Sequence, residues 1–204
     1  MLADSVTAAI REAISAGEFQ PGEQLSEVRI AERFECSRNT LREAFADLAA
    51  TLLVERIPHR GVFIATPDRA YVRDLYLARA AIEPSAARWG TFPDPHALVD
   101  LTVSARPLAE AGKHQAVSSI NQRFHRALVA GLESTTMDRL MADLLARMRL
   151  AFLLVIPRYP LLHADHVEEN VTLAQLIADG KREEAAAFSR DSLMRSLEAI
   201  NRYL

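Results

Sequence analysis

Apolar side chains recur at three- and four-residue intervals along most of this chain, and that period predicts a mainly α protein. Leu2, Val6, Ala9, Ile10, Ala13 and Ile14 form one stripe. A first helix is therefore expected over 2–16, ended by Gly17, which accepts a left-handed conformation without a Cβ clash. Pro21-Gly22 makes a turn. Ser26 is placed to cap a short helix over about 27–34, and Ser37 to cap another over 38–50. In the latter, Leu41, Ala44, Phe45 and Leu48 share one face. The period then changes. Residues 53–57 and 62–64 are short β-type runs joined by Pro58-His59-Arg60-Gly61, which predicts a two-stranded hairpin. Pro67 disfavours helix at Thr66, and a boundary is placed there, giving domains over 1–66 and 67–204. The second domain reads as six helices, over 68–90, 94–111, 114–132, 136–156, 161–179 and 181–203. Short breaker-rich connections make these an antiparallel bundle.

Composition narrows the class. Half of the 204 residues are hydrophobic and a quarter charged, which excludes disorder as the main theme. A single cysteine, Cys36, excludes a disulfide framework and a cysteine zinc site. The longest apolar run, 150–156, is far too short for a membrane span, and no basic stretch precedes an apolar one at the start. A cytoplasmic protein with no membrane partner is expected. No Gly-rich phosphate loop, G-x-S-x-G or H-E-x-x-H occurs, and His125 lacks a partner set for acid–base work, so catalysis is not expected.

Three helices followed by a hairpin make a winged helix-turn-helix plan, in which the third helix can enter a major groove. Its N-terminal half offers Ser37, Arg38, Asn39, Thr40 and Arg42, types suited to phosphate oxygens and base edges. Residues 1–66 nevertheless carry seven arginines and no lysine against ten acidic groups. Binding to DNA then requires a local basic patch, drawn from Arg38, Arg42 and Arg60, with Arg29 and Arg33 as further candidates. The alternative is a merely solvated helix face.

The segments Phe19-Gln20-Pro21-Gly22-Glu23-Gln24-Leu25-Ser26-Glu27, Ile30-Ala31-Glu32-Arg33-Phe34 and Ser37-Arg38-Asn39-Thr40-Leu41-Arg42-Glu43-Ala44-Phe45 resemble the GntR family of bacterial transcription factors. The resemblance implies operator contacts by Arg38 and Arg42 and a wing glycine, Gly61, near the minor groove. Glu35 stands where the family usually has glycine, which makes a positive φ costlier by roughly 1 kcal/mol. Cys36 takes a small apolar position and is expected as a buried thiol.

Further on, Arg79-x-x-Ile82-Glu83, Phe124-His125-x-x-Leu128 and the stretch from Ala174 through Gly180 to Ala185 resemble the FCD effector domain of the FadR-like subfamily, in its shorter VanR-like form. Most such domains hold a divalent metal. Carried over position by position, its ligands become Asn121, His125, Asn170 and Ser192, so His125 is the only good ligand kept. No tight metal site is expected, with His163 and His166 as the residues that could alter this. What replaces it reads as a polar effector pocket, with Arg79 as anion partner if the effector is a carboxylate, and Arg147 or Arg149 as further candidates. Alternatively, Arg79 pairs with Glu83 at i+4 and the cluster binds only water, or the domain serves only dimerisation. The resemblance implies a homodimeric, metabolite-responsive repressor on a pseudo-palindromic operator. A constitutive DNA-binding protein is the other reading.

Overall fold

A computed structural model describes residues 2–160 and 162–204, the side chains of 163–165 excepted. His163 is thus outside the described side chains. The elements run α1 (Ala3–Ala16), β1 (Gln24–Leu25), α2 (Glu27–Arg33), α3 (Arg38–Ala50), β2 (Val54–Ile57), β3 (Gly61–Ile64), α4 (Arg69–Trp89), α5 (His96–Val103), α6 (Arg106–Glu110), α7 (His114–Ala130), α8 (Thr135–Val155), α9 (Leu162–Ala178) and α10 (Arg182–Asn201). No described helix is long and apolar enough to cross a membrane. Two compact units emerge, one running through Asp68 and taking in Leu145–Leu154 of α8, the other comprising Arg69–Leu144 and Val155–Leu204.

In the N-terminal unit, Val6, Ile10 and Ile14 of α1 and Leu41, Phe45 and Leu48 of α3 are fully buried, the two apolar stripes read from the sequence. Ser37 caps α3 by accepting a hydrogen bond from the Thr40 amide at 3.1 Å. Ser26 makes no side-chain cap bond, although its backbone is extended as at an N-cap. The expected hairpin forms, but it belongs to a sheet of three strands in the order β1-β3-β2, all antiparallel. The added strand has two residues, too few to show an alternating pattern. It is held because the Pro21-Gly22 turn carries Gln24 and Leu25 alongside Phe63 and Val62. The Ile64 amide donates to the Glu23 carbonyl at 2.8 Å, extending the ladder.

The turn between α2 and α3 keeps left-handed geometry despite its side chain, with φ of 48° at Glu35. Cys36 is only half-buried, not the enclosed thiol expected. At that sharp turn its side chain stays partly open to solvent.

In the C-terminal unit, α4 and α10 lie together most extensively. Ala86, Ala87, Ala185 and Ala186 are buried there, small enough to let two helices approach closely. Arg182 fastens the start of α10 to the end of α4, donating to the carbonyls of Gly90 at 3.0 Å and Ala87 at 3.3 Å. The helix expected over 94–111 is broken into α5 and α6 around Ser104-Ala105. Pro107 lacks the amide needed to continue the α5 ladder and sits instead in the first turn of α6. The remaining helices match their predicted spans to within two residues.

Gly17 ends α1 at φ 80°, its amide bonded to the Ile14 carbonyl. A Cβ there would lie 2.4 Å from Nη2 of Arg149, which belongs to the same unit. Gly17→Ala combines left-handed strain with this crowding and is expected to lower unfolding free energy by about 1–2 kcal/mol. Urea denaturation measures it.

Candidate functional site

The outer face of α3 carries Arg38, Asn39 and Arg42 exposed, with Thr40 half-buried beneath Ser37. Its inner face is fixed to α1 by the buried stripe, so these side chains leave a rigid helix. Nε of Arg42 donates to both carboxylate oxygens of Glu27 at 3.1 Å, and Nη2 to Oε2 at 3.0 Å. Arg56 of β2 donates through Nη2 to the Arg42 carbonyl at 3.2 Å. The hydrogen bond from Arg42, with the charges of Arg42, Arg38 and Arg56, holds the Glu27 carboxyl below its usual range. Arg42 alone bonds this carboxylate at the start of α2, while the charges of Arg38 and Arg56 act on it through space.

The wing tip lies on the same unit. Gly61 has φ 109° and follows His59 at 61°, so the chain turns sharply enough to leave Arg60 exposed. Gln24 donates to the Arg60 carbonyl at 2.8 Å, and the Arg60 guanidinium stands 5.6 Å from the Phe63 ring. Arg29 is exposed on α2. Arg33 is engaged elsewhere, paired with Glu18 and stacked on Phe19 and Phe34, and so adds little to the patch.

The centre of the C-terminal unit is polar and closed. Arg79 and Glu83 are each 1% exposed and paired on one face of α4, Nε to Oε1 at 2.6 Å. His125 of α7 stands with Nδ1 2.9 Å from Glu83 Oε2 and Nε2 3.2 Å from Arg79 Nη2. Burial favours the neutral ring and outweighs the pull of Glu83, so the His125 pKa lies below its ordinary value. A neutral ring with its proton on Nδ1 turns that proton to Glu83 and accepts from Arg79 at Nε2, whereas the other tautomer donates from Nε2 to Asn121 Oδ1. Burial alone would raise the Glu83 pKa, but Arg79 and His125 hold it at about 2. Asn170 of α9 donates to Asn121 Oδ1 at 2.6 Å, and that oxygen is 3.1 Å from His125 Nε2. His166, one turn before Asn170, directs Nδ1 to the Leu162 carbonyl at 2.6 Å.

A narrow cavity of about 10 Å³ touches Arg79, His125, Asn170, Ser189 and Ser192, room for one water. Beside it, sharing His166, Glu169 and Ser196, a more open cavity of about 210 Å³ is walled by Tyr159 and Arg195. Ser192 reaches this region from α10, but its hydroxyl donates to Glu169 at 2.7 Å rather than joining the Asn121–Asn170 pair.

The model of the gntR family of bacterial regulatory proteins matches residues 2–64, and the FCD domain model matches residues 74–195. The chain belongs to the GntR family and carries an FCD domain. It is 26% identical over 186 residues to the Nta operon transcriptional regulator of Aminobacter aminovorans, covering 89% of this chain and 86% of that one. It is 27% identical to the transcriptional repressor GlaR of Escherichia coli, covering 94% and 87% of the two chains. A solved GntR regulator from Rhodococcus sp. RHA1 has the same fold, with a TM-score of 0.83, 27% identity, and 99% and 98% of the two chains aligned. This protein is accordingly a transcriptional regulator.

In this GntR regulator, Asn121, His125 and Asn170 are brought together as the family pattern implied, and Ser192 lies at the edge of the same cavity. Arg79, expected as the anion partner if the effector is a carboxylate, lines the same cavity. Its charge is already balanced by Glu83, the i+4 alternative. Arg147 and Arg149 fall within the segment of α8 that belongs to the N-terminal unit. The family's metal does not fit these residues. Amide and hydroxyl groups are weak donors for a divalent ion, the guanidinium of Arg79 stands 3.2 Å from His125 Nε2, and among the described residues no three His, Cys, Asp or Glu side chains are grouped to hold one, His166 included. Sequence reasoning missed Arg56, whose place beside Arg42 depends on strand pairing. It also missed Glu169, which bonds Ser192 and Arg195 across two helices.

Glu83→Gln leaves the buried Arg79 unbalanced and is expected to destabilise by about 3–5 kcal/mol in urea unfolding. The acid limb has a defined sign. An unfolded chain protonates its histidines near 6.5, whereas burial keeps His125 and His166 neutral to lower pH when folded. Stability is complete above 6.5 and starts to fall below it. A second loss follows as the pH drops from the ordinary carboxyl value of 4.5 towards about 2, where folded Glu83 protonates. Thermal unfolding followed by circular dichroism should show both steps, and His125→Gln should weaken the first.

Proposed function

We propose that this regulator is a metabolite-responsive repressor that binds a pseudo-palindromic operator as a homodimer. The observation that carries the DNA-reading part is the exposure of Arg38, Asn39 and Arg42 on the outer face of α3, in a domain with net acidic charge. Arg38, Asn39 and Arg42 read bases, Ser37 and Thr40 meet phosphate near the start of α3, and Arg29, Arg60 and Gly61 make flanking backbone or minor-groove contacts. Two such domains related by a twofold axis read two half-sites of one duplex. The naming of GlaR as a repressor supports repression here.

The effector enters through the open cavity beside Glu169 and Arg195 and reaches Asn170, Ser192 and His166. Since Arg79 is balanced by Glu83 and His125 is neutral, the ligand is a hydroxyl- or amide-bearing molecule held by hydrogen bonds, not a carboxylate clamped by Arg79. No metal takes part. The closed state of the inner cavity, sized for one water, supports the second reading, a constitutive DNA-binding protein whose helical domain only dimerises.

Two experiments test these readings. Arg42→Ala should weaken binding to a duplex selected from a random library by about tenfold or more, with its circular dichroism melt unchanged. Unchanged affinity would refute the assignment of α3. A panel of polyols, amides, amino acids and sugar acids should contain a compound that shifts both the melting temperature and the affinity for the selected duplex. If none shifts either, the constitutive reading holds.

A further inference from the structure

The Arg42–Glu27 pair joins an exposed arginine to a half-buried carboxylate and is closed by three hydrogen bonds of 3.0–3.1 Å. Surface pairs of this kind contribute little to stability, so its effect lies in where it points the arginine. A guanidinium has five N–H groups in a planar fork. Here the edge made by Nε and Nη2 faces Glu27, which leaves the end formed by Nη1 and the second Nη2 hydrogen as a two-donor fork. That fork matches the O6 and N7 acceptors of guanine in a major groove. Glu27 is itself anchored at the first turn of α2, where the helix N-terminus favours a carboxylate. Arg56 donates from the wing to the main-chain carbonyl of Arg42, which ties the backbone of α3 to β2 and leaves the guanidinium direction to Glu27.

We propose that Glu27 is a specificity-determining positioning residue: it orients Arg42 towards a single guanine, and its negative charge against that arginine opposes indiscriminate phosphate binding. This rests on the reading of α3 as the DNA-contacting helix. A free arginine would bind any phosphate within reach, whereas one held along one edge gains full pairing only where a guanine meets its free end. The carboxylate also removes part of the basic patch's attraction for backbone phosphates. It therefore acts on the ratio of specific to non-specific binding more than on either affinity.

The test uses the full chain, a duplex of about 20 bp enriched from a random library by the wild-type protein, and a scrambled duplex of the same length and composition, with fluorescence anisotropy over a range of KCl. Glu27→Gln should bind the scrambled duplex about threefold or more tightly and lower the selected-to-scrambled ratio about tenfold. The loss should be concentrated at one G·C pair when each position is substituted in turn. Glu27→Asp keeps the charge with a shorter reach. It should retain the wild-type affinity for scrambled DNA while losing part of the ratio. A ratio unchanged in Glu27→Gln, or both affinities lowered by one factor, overturns the proposal. If Arg42→Ala also leaves the selected duplex bound as before, the α3 reading itself fails. If Arg42→Ala weakens binding and Glu27→Gln leaves the ratio intact, only the role of Glu27 fails.

Discussion

The buried Arg79–Glu83 pair is the constraint on which the C-terminal unit depends. Removing two opposite charges from water is costly, and neither can be left alone in a low-dielectric centre. Each partner is therefore satisfied by others: Glu83 by His125 as well as Arg79, and Arg79 by His125 and the face of Tyr76, 5.2 Å away. His125 in turn borders Asn121, and Asn121 holds Asn170. Four groups beyond the ion pair are placed by this chain, from α4, α7 and α9. It gives the unit a polar centre that has its own cation. The same arrangement balances the charge of Arg79 within the unit, and the proposed hydroxyl- or amide-bearing effector without a metal follows from that balance.

The N-terminal unit meets the opposite demand. Its arginines must stay exposed and still hold a geometry. Apolar burial fixes the backbone of α3, the Ser37 cap fixes its first turn, and Glu27 and Arg56 restrain Arg42 from outside. A domain with more acidic than basic groups thus presents arginines on the outer face of α3. Glu27 lies against Arg42, and in the proposal above its charge shapes what that arginine will bind.

Much of this was legible in the sequence. The long helices were readable because their apolar positions repeat over three or more turns, and Pro or Gly stands between them. Ser37 announced itself by its place before Arg38. What stayed hidden depended on pairing across the chain. β1 is two residues long and is defined only by Phe63 and Val62 beside it. The break between α5 and α6 is the exception, for Pro107 is a local signal, masked by the helical period that continues on both sides. The family pattern placed Asn121, His125 and Asn170 in one cluster, but not the direction of Ser192, which is set by Glu169. Whether Arg79 would face a ligand or its own neighbour could not be decided from i+4 spacing, which permits the pair without requiring it. Arg56 gives no local signal at all, since its proximity to Arg42 comes from the sheet.

The most direct test of the central claim, that the C-terminal unit is balanced by its own arginine, is metal analysis of protein purified without added metal or chelator, with melting curves taken before and after chelation. The account predicts a metal-to-chain ratio well below about 0.1 and no change in melting temperature on chelation. A ratio near one, with a melting temperature that falls when the metal is removed, would contradict it.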